Sequence, residues 1–159
     1  MWDARSDGWF TGDTFGMAFP DFRVDGRSFI IPTTTPVQFD PEAMLASIDR
    51  LLAASPRAMY LTHFGRLTDV ARCGEQLRAM LAATVDAARA HRDAPDRTVV
   101  LAAALLALYV SGARAHGVQL PEDRLADLLR DDAALNAAGL GIWLDRPVRR
   151  RQAGGTGTL

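Results

Sequence analysis

Two residues of this chain have side chains and settings suited to acid–base or metal chemistry. The first is Asp13, held in the run Phe10-Thr11-Gly12-Asp13-Thr14-Phe15-Gly16, directly after a short apolar stretch. The second is His63, about fifty residues on, in Tyr60-Leu61-Thr62-His63-Phe64-Gly65. Each stands at the C-terminal end of a strand-like run, where open α/β sheets form ligand crevices. Each is followed closely by a glycine that allows the backbone a sharp departure. Residue type alone leaves ordinary alternatives open. An aspartate in such a turn can cap its own loop, and a lone histidine is commonly structural or solvent-exposed. The other two histidines, His91 and His116, belong to no His-x-His pattern and are expected at solvated helix ends.

The elements that must position these residues can be read from pattern. Trp9-Phe10-Thr11 is a β-prone run after the turn signal Ser6-Asp7-Gly8. Residues 1–5 leave almost nothing for the first arm of a hairpin, so the chain is expected to begin in mid-sheet. Residues 14–39 form a long connection interrupted by Pro20, Gly26, Pro32 and Pro36. Within it, Phe22-Arg23-Val24 and Ser28-Phe29-Ile30-Ile31 flank Asp25-Gly26 and can pair as a small hairpin or form an irregular lid. Asp40-Pro41-Glu42 is a helix start, with a capping acceptor, a proline at the first helical position and a charge that complements the dipole. Met44, Leu45, Ile48, Leu51 and Leu52 then recur at helical spacing until Ser55-Pro56 ends the helix. Ala58 to Leu61 reads as a short apolar strand delivering Thr62 and His63.

From Thr68 the pattern becomes helical. The spacing predicts a helix to Arg92, a break at Asp93–Asp96 and a nearly all-apolar helix over Thr98–Ala115, closed by Gly117. A helix of that kind should be buried on most sides or lie in an oligomer interface. A shorter helix is expected from Pro121 to Leu129, and another over Ala133–Leu144. The fold class expected is α/β (α+β). It comprises a partial domain over 1–66, a helical region over 67–148, and a disordered Gly/Thr-rich tail over 149–159.

Composition bounds the function classes. The 159 residues suit one ordinary domain. A net charge of -1 gives no general attraction to nucleic acid or anionic membranes. All 18 basic residues are arginine, which reads as coding-sequence bias and not as a site. The lone Cys73 excludes an intrachain disulfide and fits a reducing compartment. The longest apolar run, Val99–Val110, is shorter than the ~20 residues that span a bilayer. No targeting segment is visible, and a cytoplasmic location is the expectation.

The run FTGDTFG, followed by FIIPTTTPVQFDPEAMLASIDRLLAASPRAMYLTHFG, resembles the C-terminal half of a metallo-β-lactamase-fold hydrolase. ALNAAGLGIWLDR is similar to the end of bacterial members with a helical appendix. The resemblance spans residues 8–145 and implies half of an αββα sandwich followed by helices. It implies that Asp13 bridges two divalent cations, zinc or alternatively iron or manganese, and that His63 ligates the second. The residue types suit this chemistry, because a carboxylate has two oxygens and a neutral imidazole nitrogen binds zinc or iron. Paired metals lower the pKa of water and so supply a nucleophile for an ester, thioester, lactone, amide or phosphoester.

The family's His-x-His-x-Asp-His motif, which lies before its Gly-Asp motif, is missing from this sequence. A catalytic zinc needs at least three protein ligands, so Asp13 and His63 alone should not hold a binuclear centre. The remaining ligands are expected from an N-terminal half, upstream in the same gene or on a separate chain. The alternative is a non-catalytic interaction or oligomerisation module, self-associating through the helix over 98–115. Thr14, Phe15 and Thr34 are the residues expected beside the substrate. Thr33–Pro36 can otherwise be a structural loop, and Phe15, Phe19, Phe22 and Phe29 can otherwise be core. Cys73 has no CxxC or histidine partner and reads as a buried helix residue.

Overall fold

The computed structural model describes residues 1–34, 39–63 and 65–146. Expectations for Thr35, Pro36 and the tail over 149–159 therefore lie outside the described residues. Among the described residues the fold is mixed α+β, with six short strands and four α-helices, three of which fill the second half. The strands are β1 (Trp2–Asp3), β2 (Gly8–Gly12), β3 (Met17–Ala18), β4 (Ile30–Ile31), β5 (Ala58–Leu61) and β6 (Gly65–Leu67). The helices are α1 (Pro41–Ala53), α2 (Val70–Ala90), α3 (Arg97–His116) and α4 (Glu122–Asp145).

One sheet has the order β1-β2-β5-β6, and β3 pairs with β4 in a second, two-stranded sheet. β2 and β5 run parallel, joined by a crossover that includes α1. β1 and β6 flank them antiparallel. The expectation that the chain starts in mid-sheet is corrected here. Trp2 pairs with Trp9 and Asp3 with Gly8, so the turn closes on a two-residue first arm within the chain. Asp7 takes a left-handed conformation (φ 46°) at that turn. The Asp25-Gly26 hairpin is reduced to a single Val24–Arg27 bridge, because β4 pairs with Met17–Ala18 instead.

α1 begins as its sequence implies: the Asp40 carboxylate accepts from the Ala43 N–H at 2.9 Å, and Pro41 follows. Ile48 is buried and Met44, Leu51 and Leu52 pack on the core, whereas Leu45 is exposed. The two helices expected over 121–129 and 133–144 are one continuous α4. Arg130-Asp131-Asp132 reads as a break by charge. It contains neither Gly nor Pro, however, and the buried stripe Leu125, Leu129, Ala133, Ala137, Leu140, Leu144 runs straight through it.

α3 is buried along only one stripe, Leu101, Leu105, Tyr109 and Ala113. Its other apolar residues include Val99 and Val100, which are exposed. The uninterrupted run alone fell short of a bilayer span, but the twenty-residue helix is long and apolar enough to cross a membrane by length and composition. A single apolar cluster includes residues from Phe15 to Leu144, with Phe15, Phe19, Phe22, Phe29 and Cys73 all inside it. Burial pushes the Cys73 thiol up to about 12, which leaves it inert as a nucleophile at neutral pH.

Candidate metal centre

Parallel neighbours in a sheet end side by side, and this brings the two residues together. Gly12 of β2 pairs with Leu61 of β5, so the chain leaves both strands at one edge. Asp13 opens a short 3-10 turn directly after β2, and His63 lies in the turn that joins β5 to β6. A register shift between Phe10 and Gly12 marks an irregularity at the end of the ladder, a common device for re-aiming a side chain. Gly12 and Gly16 bracket the 3-10 turn at φ 58° and 73°, where a Cβ would be strained. At Gly16 a Cβ would also sit 2.5 Å from the Ile31 carbonyl oxygen, so two constraints select glycine there.

His63 Nε2 lies 3.7 Å from Asp13 Oδ1. That separation is too long for a hydrogen bond. It fits two ligands of one cation: with zinc–ligand bonds near 2.1 Å, a 3.7 Å gap subtends about 125° at the metal. Asp13 Oδ1 is shielded from solvent and accepts no hydrogen bond from the described residues, although the side chain as a whole is 42% exposed. A carboxylate oxygen facing an imidazole nitrogen at this distance suits either a loose ion pair with a protonated ring or two ligands of one cation. Among the described residues no group of three or more His, Cys, Asp or Glu side chains is placed to hold a metal ion. Asp13 and His63 are thus, among the described residues, a pair of candidate ligands and not a set.

The surroundings of Asp13 are polar. Its carbonyl accepts from the Thr33 hydroxyl at 2.7 Å. A cleft of about 450 Å³ opens beside it, walled by Thr14, Thr33, Asp40, Ser47 and Met44, the last three from the first turns of α1 and its cap. Of the residues expected beside a substrate, Thr14 lines this cleft. Phe15 is fully buried in the core. Thr34 is buried as well, with its N–H and hydroxyl bonded to Asn136 of α4.

α4 contributes two groups that the sequence reading did not single out. Asn136 is buried; its Oδ1 accepts from the Thr34 N–H at 2.8 Å, and its Nδ2 donates to the Pro32 carbonyl and the Tyr109 hydroxyl, both at 2.9 Å. Asp132, one turn earlier, has a carboxyl raised above its ordinary value by burial and by neighbouring Asp131, with His63 opposing. The available signal was a polar stripe, Asp132, Asn136 and Gly139, on the face of an otherwise apolar helix. His91 caps α2, and His116 ends α3 with Nε2 3.2 Å from the Arg27 carbonyl oxygen. No protein-family model, curated protein or solved structure matches the chain.

Proposed function

We propose that the chain is the C-terminal half of a metal-dependent hydrolase of the metallo-β-lactamase fold, contributing the last two ligands of a binuclear centre. The observation that carries this reading is the pair itself. Asp13 Oδ1 is shielded, accepts no hydrogen bond from the described residues, and faces His63 Nε2 across a gap suited to a shared cation. Two divalent ions, zinc or alternatively iron or manganese, would supply a water nucleophile at neutral pH for an ester, thioester, lactone, amide or phosphoester. Within this chain Asp13 offers the bridging carboxylate and His63 the terminal imidazole. Thr33 holds the Asp13 backbone in place, and the cleft at Thr14 and α1 receives substrate. The remaining ligands come from a segment bearing His-x-His-x-Asp-His, upstream in the same gene or on a separate chain.

The test is zinc binding by the chain alone and with such a segment co-expressed. Alone, zinc should bind weakly and hydrolysis should be absent. With the segment, zinc should bind tightly, and Asp13→Ala or His63→Ala should each abolish activity. Near-stoichiometric, tight zinc in the isolated chain, lost on His63→Ala, would contradict the ligand count. Absence of any gain with the segment would contradict the fold assignment.

A second reading is favoured by one observation. α3 carries no charge from Thr98 to Gly112, yet much of its apolar surface is exposed. On that reading the chain is a non-catalytic module that self-associates through α3 in the cytoplasm, without nucleic acid or membrane. A monomer in sedimentation at every accessible concentration would exclude it.

A further inference from the structure

Asp40, Ala43, Ser47 and Arg50 fall at i, i+3, i+7 and i+10 along α1 and its cap, and so share one face of the helix. The cleft beside Asp13 lies along the first part of this face. A second cleft of about 290 Å³ lies along the rest, bounded by Phe10, Leu51 and Arg50. Thr14 and Ser47 line both, so the two form one trough that leads from Asp13 to Arg50. Ten residues of helix at 1.5 Å each make it about 15 Å long. Its ends differ in charge: Asp13 and Asp40 stand at one, Arg50 at the other, with hydroxyls between. The Arg50 guanidinium turns back along the trough and donates to the Ser47 hydroxyl at 3.4 Å. Among the described residues no carboxylate lies within ion-pair distance of it, and the adjacent Asp49 is engaged by Arg78 instead. Phe10 is stacked on Tyr60 at 4.8 Å yet remains 47% exposed. A guanidinium without a counter-ion, beside an exposed ring in a concave site, suits an anion with an apolar stem.

We propose that Arg50 is a specificity residue: it receives the terminal carboxylate of a substrate whose reactive carbonyl lies at the Asp13 end. The place of the reactive carbonyl rests on the metal reading; the carboxylate subsite does not. A single guanidinium matches a monoanion in charge and a carboxylate in its paired donors, whereas a phosphate dianion would keep an uncompensated charge. The stem between the two ends passes Phe10 and Leu51 and is therefore apolar. The substrate class narrows to a linear, carboxylate-ended acyl compound. Its hydrolysis bonds the water oxygen to the acyl carbon and breaks the bond to the leaving group. That group takes one proton, solvent takes the other, and a dicarboxylate remains.

Titration of the metal-free chain with monomethyl suberate, followed by proton–nitrogen NMR, tests the subsite. The monoester should shift the Arg50 Nε–H signal and the Phe10, Thr14 and Ser47 amide signals together and saturably. Dimethyl suberate lacks the carboxylate and should bind about fivefold more weakly, the worth of one hydrogen bond at an open site. Arg50→Gln should erase that difference and Arg50→Lys should keep part of it. Arg130→Gln removes the same charge from α4, where it lines neither cleft, and should leave the difference whole. Arg50 is exposed, so its variants should melt as the parent does. Equal binding of monoester and diester by the parent chain overturns the proposal. Inorganic phosphate that moves the Arg50 signal as strongly as the monoester overturns it too. Zinc added afterwards reads the other end and should shift the Asp13 and His63 signals. A carboxylate preference without a zinc response upholds the subsite and sinks only the metal reading; a zinc response without the preference does the reverse.

Discussion

Replacing Asn136 with alanine should be among the most damaging single changes in the chain. Besides sharing the Thr34 hydroxyl at 3.1 Å with its own backbone carbonyl, its amide serves three buried groups: the Thr34 N–H at 2.8 Å, the Pro32 carbonyl at 2.9 Å and the Tyr109 hydroxyl at 2.9 Å. Tyr109 is fully buried, and burial pushes its hydroxyl up to about 12, so it stays neutral, and its oxygen accepts from Asn136. Each stripped buried group costs roughly 1–3 kcal/mol. The loop can relax and water can enter, so the three together should cost about 3–5 kcal/mol and not the full sum. That is a large share of the roughly 5–15 kcal/mol by which domains are stable. At about 2–4 °C per kcal/mol for a chain of this size, the melting midpoint should fall by roughly 10 °C. Urea unfolding followed by circular dichroism gives the free energy directly. A double-mutant cycle with Tyr109→Phe should return a coupling above about 0.5 kcal/mol, as expected for groups in direct contact. A loss below about 1 kcal/mol would mean that the amide is met by solvent and does not clamp the loop.

Gly139→Ala should destabilise at least as strongly, because the new methyl group meets the Thr34 carbonyl, which is backbone and cannot rotate away; thermal unfolding measures it. His116 is desolvated at the end of α3, and Arg72 and Arg27 add to the lowering of its pKa against the Arg27 carbonyl and Asp69. The unfolded chain therefore binds the proton more readily, so this residue's contribution is fully present above about pH 6.5 and is lost as pH falls toward the folded value. His116→Gln should flatten that part of the stability–pH curve, and an identical slope in both proteins would refute the linkage. If α3 mediates self-association, Val99→Glu together with Val100→Glu should convert oligomer to monomer in sedimentation, with the melting midpoint of the monomer little changed.

The pairing of Asp13 with His63 was partly legible because its determinants are local. Asp13 and His63 each follow a short β-prone run and precede a glycine, and the capping signal at Asp40 placed α1 between them. A strand, a helix and a second strand in that order make a parallel pair, and parallel ends coincide. What could not be read depended on contacts distant in sequence. Thr34 looks like a loop hydroxyl until Asn136, about a hundred residues away, is known to bond it. The first arm of the hairpin was missed because two residues are too few to carry a periodic signal. α4 was split because three charged residues in a row resemble a linker, although only one helical face had to stay apolar. For α3 the sequence left open burial on most sides or a place in an oligomer interface, since hydropathy gives the composition of a helix but not the number of neighbours around it.

The Pro32–Thr34 segment ties α4 to the loop after β2. β4 ends at Ile31, so the polar backbone groups that follow have no ladder to join. Two of them, the Pro32 carbonyl and the Thr34 N–H, are met by the single amide of Asn136. Thr33, between them, is thereby held where its hydroxyl reaches Asp13. A leucine at position 136 would fill similar space yet leave both groups unpaired. Hydrophobic packing could thus hold α4 in place without holding the loop. The position of Asp13 therefore depends on a helix that is remote in sequence. Variants at Asn136 should disturb the response of the His63 and Asp13 signals to zinc at temperatures well below unfolding. If that response is unchanged while stability falls by several kcal/mol, the clamp serves the fold alone.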